Sequence, residues 1–295
     1  MEVTKLPVKM EFKDLVKPNA MKSFLGTVLS EHTEDADMVL TGITEEHNRQ
    51  TRSGIVSAPE YLRKGDFWRG AVTDADLNIR VDKDLKIVDG GNIAVDGCGR
   101  MGELTAFAKE SVLQKTFPVF VGGCDACMNP IIEGLAQEEK IAVLHLGAHP
   151  FPKTELSDKA DPVHSLELGV RGTTDVPQWN RMTGIGVADI FQKNCETLKE
   201  RVVSLIGDAP VFVAFSADYM DPAYVPCAMN PVAGGPGVQD FFVTAETLLP
   251  LLNVKGIGIF NLAPEFDPGE VGLNDMVTAF WKLVMVEAKE LILKK

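Results

Sequence analysis

The sequence predicts an α/β protein whose mostly parallel sheet carries helices on both faces. Short β-branched runs alternate with helix-length segments along the chain. The runs are nearly continuous in apolar residues, as in strands covered on both sides. No repeat, low-complexity tract or Pro-, Gly- or Ser-rich linker divides the chain, so residues 1–295 are expected to form a single domain.

In order, ADMVLTGI (36–43) is a strand, and SAPEYLRKG opens a short helix with Pro59 near its start. LKIVDGGNIAV holds a strand pair around Gly90–Gly91. MGELTAFAKESVLQK (101–115) has helical spacing, FPVFVGG is a buried strand, and NPIIEGLAQEEK (129–140) is helical with Pro130 in its first turn. KIAVLHLGAH, HSLELGVRG, VFVAFSADYMDP and VKGIGIFNLAP are further strands. From Asp275 to Lys294 Met276, Ala279, Phe280, Leu283, Val286 and Leu291 recur near a 3.6 period, which predicts an amphipathic helix.

Composition narrows the class. Hydrophobic residues are 45% and charged residues 24%, with mean hydropathy near zero at +0.03, values of a globular chain with a substantial core. A net charge of −13 and a pI near 4.9 argue against nucleic acid or an anionic membrane as partner. No apolar run approaches the roughly 18 residues of a membrane span, and MEVTKLPVKMEF lacks a signal core. Five irregularly spaced cysteines fit a reducing compartment, so a cytoplasmic location is expected.

Ligands of open parallel sheets gather at the carboxyl ends of the strands. Four such ends carry unusual residues: GGCDAC (122–127), HLGAHPF (145–151), FSADYMDP (215–222) and FNLAPEFDP (260–268). Ser216 and Asp218, two apart, project together if the strand continues; the pair reads either as a polar strand end with an Asp221–Pro222 turn or as half of a metal site. His145 and His149 share a face only if their strand stays regular. The C-x-x-C of GGCDAC reads as structural thiols, with a redox pair and half a zinc site as alternatives; no second C-x-x-C or H-x-x-H completes four ligands. Asp125 either caps the helix that follows or binds metal.

Taken in order, these segments resemble the ureohydrolase family, agmatinase-like proteins in particular. VFVGGCDAC stands at the family's G-G-D-H-S, and LHLGAHPF at its H-x-D-A-H-x-D. DPVHSLELGVRG resembles D-P-x-x-S-V-Q-I-G-I-R, and AFSADYMDPAYVPCAMNPVAGGPG resembles the S-F-D-x-D-x-x-D-P block with its trailing prolines and glycines. GIGIFNLAPEFDP matches D-x-x-E-V-x-P-x-Y-D, while VLTGITEEHNRQTRSGIVSAPEYLRK and VDGGNIAVDG resemble the early segments. The resemblance implies a three-layer α/β/α arginase-like fold with a mostly parallel eight-stranded sheet, assembled as a trimeric or hexameric homo-oligomer. It also implies hydrolysis of guanidinium or amidine groups at two manganese ions bridged by two aspartates, whose shared hydroxide is the nucleophile.

Position by position, the resemblance puts Cys124 and Asp125 at the aspartate and histidine of G-G-D-H. In D-A-H-x-D the first aspartate is Gly147, the histidine is His149 and the last aspartate is Phe151; in S-F-D-x-D the first aspartate is Ser216 and the second Asp218. Both bridging carboxylates are thus absent, at Gly147 and Ser216. The substrate-contacting glutamate is Asn261, and PFPKTELSDKA lacks the histidine of the family's longer loop. Two close divalent cations without bridging carboxylates repel too strongly to coexist, so no dimanganese cluster is expected. The expected protein is a pseudoenzyme of this family with a binding, regulatory or assembly role and a small-molecule ligand. The alternative is a hydrolase of C–N bonds in a guanidine- or amidine-like substrate. It uses one divalent metal, manganese or zinc, on Asp125, His149 and Asp218, or Cys124 as a thiol nucleophile near His149.

Overall fold

A computed structural model describes residues 22–30, 33, 35–45, 52–65, 73–74, 77, 79–80, 84–95, 101–151, 156–171, 183–186 and 195–295. Residues 46–51 of the early segment and 152–155 of the loop after His149 lie outside them.

The strands are β1 (Val28–Leu29), β2 (Met38–Glu45), β3 (Thr73–Asp74), β4 (Ile79–Arg80), β5 (Ile87–Val95) and β6 (Phe117–Val121). They continue with β7 (Ala142–Leu146), β8 (Leu166–Val170), β9 (Thr183–Gly186), β10 (Pro210–Ser216) and β11 (Asn253–Phe260). Nine form one sheet in the order β1-β5-β2-β6-β11-β10-β7-β8-β9, and every pairing in it is parallel. Seven of the nine are strands read from the sequence; β1 and β9, the two edges, were not among them. β3 and β4 make a separate antiparallel pair.

Period-two alternation places the two cores. In β10 Val211, Val213 and Phe215 join one cluster, while Phe212 and Ala214 join the other. Helices α1 (Ala58–Lys64), α4 (Cys195–Ile206), α5 (Val238–Leu248) and α6 (Val271–Lys294) contribute to the first cluster; α2 (Met101–Gln114) and α3 (Met128–Leu135) fill the second. The result is the three-layer sandwich expected.

Two elements differ from expectation. LKIVDGGNIAV is one strand, not a pair: its register against β2 shifts between Leu40 and Thr41, and Gly90 is the residue skipped. α6 starts at Val271 and is buried almost all round from Met276 to Ala288, so it is a core helix rather than an amphipathic one. Its polar Lys282 is tolerated inside because Glu246 meets the ammonium at 2.7 Å. The helix of NPIIEGLAQEEK ends at Leu135, where Ala136 leaves helical geometry.

Candidate functional site

The four polar strand ends are brought to one edge of the sheet by neighbouring strands. β6, β11, β10 and β7 are consecutive, so the segments that follow them converge. Asn261, just past β11, ties three of them together. Its Nδ2 donates to Asp125 Oδ1 at 2.7 Å and to Ser216 Oγ at 2.8 Å. Its backbone N–H donates to Gly123 O at 2.9 Å, and its carbonyl accepts from Met229 at 2.7 Å. The residue holds a left-handed φ of 62°, a conformation that asparagine tolerates better than most side chains. Its Oδ1 is buried with no hydrogen-bond partner.

Asp218 follows β10 in a single 3-10 turn, and its Oδ1 accepts the Ala148 N–H at 2.9 Å. His149 Nε2 lies 3.1 Å from the carbonyl of Asn230, so that nitrogen carries the proton in this contact. β7 ends at Leu146, so the regular alternation that would have aligned His145 with His149 is broken.

The side chain that fills the centre is His145. A Cβ built at Gly147 would stand 2.7 Å from both Cε1 and Nε2 of the His145 ring. The imidazole therefore occupies the space into which any side chain at 147 would project. Its Nδ1 lies 3.4 Å from Glu167 Oε1, a residue directly opposite it in the β7–β8 ladder. The same Glu167 oxygen accepts the Phe151 N–H at 2.5 Å, and the Phe151 ring, buried, packs edge-on against His145 at 6.4 Å. Burial works against the imidazolium, but the Glu167 hydrogen bond and the charges of Asp125, Glu167 and Asp218 outweigh it, and the His145 pKa is raised. Asp125 is likewise raised, chiefly by burial, with His145 acting in the opposite direction.

A second buried carboxylate organises the cysteines. Glu45, at the end of β2 and fully buried, accepts the Cys124 N–H at 2.7 Å and the thiols of Cys124 and Cys127 at 3.3 Å each. The Cys127 thiol pKa is pushed up by its hydrogen bond with Cys124, by burial and by Glu45. Asp125 caps nothing with its side chain: no side-chain cap bond starts either helix at this point.

Arg171 fixes the outer wall. Its guanidinium donates to the carbonyls of Asp218 (2.7 Å), Tyr219 (3.1 Å), Met220 (3.2 Å), Gly169 (3.1 Å) and Val232 (2.6 Å). Asp221 completes the clamp by accepting the N–H groups of Ala223, Gly234 and Gly235, so Asp221–Pro222 is the structural turn expected and the glycines of VAGGPG serve it. A cavity of about 790 Å³ lies at the opposite end of the sheet, against Phe117, Ile141, Pro210 and Asn253, and touches none of these residues.

The eight positions singled out in the sequence make different hydrogen bonds, although Asp125 lies within electrostatic reach of His149 and Asp218. Asp125, Ser216 and Asn261 are hydrogen-bonded in a chain; Asp218 binds a backbone N–H, His149 a backbone carbonyl, and Cys124 Glu45. Among the described residues no group of three or more His, Cys, Asp or Glu is disposed to hold a metal ion. Glu167 and Glu45 were not among the candidates, and His145 was weighed only for whether it shares a face with His149. Their signal was present: each is a charged or titratable residue inside an otherwise apolar strand, and His145 and Glu167 stand opposite one another.

A parallel three-layer sheet with polar groups converging at its carboxyl edge places these residues where open α/β sheets gather their ligands. The chain belongs to the arginase family, whose model matches residues 36–151 and 150–286. It is 25% identical over 284 residues to an agmatinase of Serratia proteamaculans, covering 87% of this chain and 89% of that protein. A hypothetical agmatinase from Burkholderia thailandensis has a similar fold, with TM-score 0.81 at 19% identity over 93% of both chains. The Trypanosoma cruzi formiminoglutamase solved with manganese superposes at TM-score 0.77 and 18% identity, over 90% of this chain and 97% of that one. No described helix is long and apolar enough to cross a membrane.

Proposed function

We propose that this member of the family does not hydrolyse guanidinium or amidine groups with a dimanganese centre, and that it acts as a binding, regulatory or assembly subunit, itself a homo-oligomer. The observation that carries this is the loss of both bridging positions: Gly147 has no side chain, and Ser216 offers only a hydroxyl that accepts from Asn261 Nδ2 at 2.8 Å. By resemblance each of these positions holds a carboxylate bridging two cations; here neither offers one, and the His145 ring lies in the space facing Gly147.

The neighbouring residues support the same reading. Ser216 Oγ, at the second bridging position, already accepts from Asn261, and Asp125 shares that donor. Phe151 is buried against His145 instead of offering an oxygen. These residues do not fit a pair of manganese ions. Contacts also weigh against the two enzymatic alternatives. Asp125, His149 and Asp218 face three different protein partners, and Cys124 is bonded to Glu45 rather than to His149.

Two buried polar atoms at these strand ends, His145 Nε2 and Asn261 Oδ1, have no hydrogen-bond partner, which supports a role in holding a small polar ligand. Elemental analysis of the protein, incubated with manganese and desalted, tests the reading. Substantially less than one ion per chain is expected; two per chain would overturn it, and one tightly held manganese or zinc would favour the single-metal hydrolase.

A further inference from the structure

We propose that Cys124 and Cys127 form a reversible dithiol–disulfide site, built around the Glu45 carboxylate and open to small-molecule disulfides. The inference is independent of the reading above and rests on the GGCDAC turn.

Four features make the pair more than two incidental thiols. Each thiol is 3.3 Å from a different oxygen of one carboxylate, so the two sulfurs are held on either side of the same acceptor. The turn itself is closed by Cys127 N–H donating to Cys124 O at 2.9 Å. A bond across such a turn keeps the α-carbons of its ends within about 7 Å, the range a disulfide spans. Room for the inner thiol depends on Gly123: a Cβ there would lie 2.8 Å from Cys127 Sγ and 3.2 Å from Glu45 Oε2. Gly122 and Gly123, at φ 104° and 77°, supply the left-handed backbone that swings the turn over Glu45. Finally the two thiols differ in access, since Cys124 is half-buried and Cys127 fully buried.

That asymmetry orders the chemistry. Cys124 passes its proton to Glu45 and attacks one sulfur of a small disulfide R–S–S–R, which forms a mixed disulfide and expels RS⁻; this takes the proton from Glu45 and leaves as RSH. Cys127 then gives its proton to Glu45, attacks the Cys124 sulfur and expels the second thiol. The net exchange is protein dithiol plus RSSR to protein disulfide plus two RSH, with two electrons passing to the small molecule. Oxidation removes both thiol donors from a fully buried carboxylate and leaves it the Cys124 N–H at 2.7 Å. The reduced form is therefore favoured by Glu45, and the disulfide is one that thiols reverse readily. Because Asp125 lies between the cysteines, the exchange alters the turn that carries it to Asn261.

The full chain is equilibrated anaerobically with mixtures of reduced and oxidised glutathione, acid-quenched, alkylated and read by peptide mass spectrometry. Cys124 and Cys127 should lose alkylation together and retain no glutathione. Cys127→Ser should trap glutathione on Cys124, and Cys124→Ser should leave Cys127 unmodified. Glu45→Gln, checked for folding by circular dichroism, should stabilise the disulfide so that the midpoint ratio [GSH]²/[GSSG] rises about tenfold or more. Full alkylation of both cysteines at the most oxidising ratio would overturn the proposal. So would glutathione persisting on wild-type Cys124, or a midpoint unchanged in Glu45→Gln.

Discussion

Gly147 and His145 stand two residues apart, and the ring of one fills the space a side chain on the other would take. Gly147→Ala should therefore destabilise the protein by about 1–3 kcal/mol through overpacking. In a His145→Ala background the same substitution should cost much less; a double-mutant cycle from urea unfolding gives the coupling, and independence of the two sites would refute the packing described. The absence of a carboxylate at Gly147 and Ser216 was legible from the sequence, because register with the resembling motifs needs only position. The ring that fills the gap was not. Alternation places His145 on a face, but a rotamer is chosen by Glu167 and Asp125, from distant segments, and by Phe151, past the end of its own strand.

Among the elements, β5 and α1 are joined by a buried ion pair. Arg63 donates from Nε and Nη2 to the two oxygens of Asp89 at 2.9 Å each, and its guanidinium lies 3.8 Å from the centre of the Phe24 ring. Asp89→Ala leaves that guanidinium buried and short of its acceptor, so denaturant unfolding should show a loss of about 3–5 kcal/mol. α6 carries a different electrostatic feature. Glu287 is buried with one oxygen unpartnered, and burial raises its pKa from 4.5 to about 8. A folded-state pKa raised above the unfolded one makes a contribution that is complete below about pH 4.5 and lost as pH climbs through about 8. Relative to Glu287→Gln, wild-type stability should thus decline between these limits by up to about 1.4 kcal/mol per pH unit. Parallel pH profiles of the two proteins would contradict this. Periodicity found α6 but misjudged its surroundings, since a 3.6 repeat marks the most apolar face and says nothing of what covers the others. The reading of two strands at Gly90–Gly91 failed for a related reason: paired glycines mark a bulge as readily as a turn.

For the whole molecule, the all-parallel strand order delivers β6, β11, β10 and β7 side by side. That adjacency is what lets Asn261 connect Asp125 to Ser216, and it was visible in the sequence only as four polar strand ends. Arg171, with six backbone carbonyls as acceptors, keeps the wall around Asp218 in place. The fold is thus retained while the groups at its cleft are bonded to one another. The most direct test is urea release from agmatine and from arginine by the purified protein at saturating manganese. No turnover above the rate without protein is predicted; release at an ordinary enzymatic rate, on the order of 1 s⁻¹ or faster, would contradict the account.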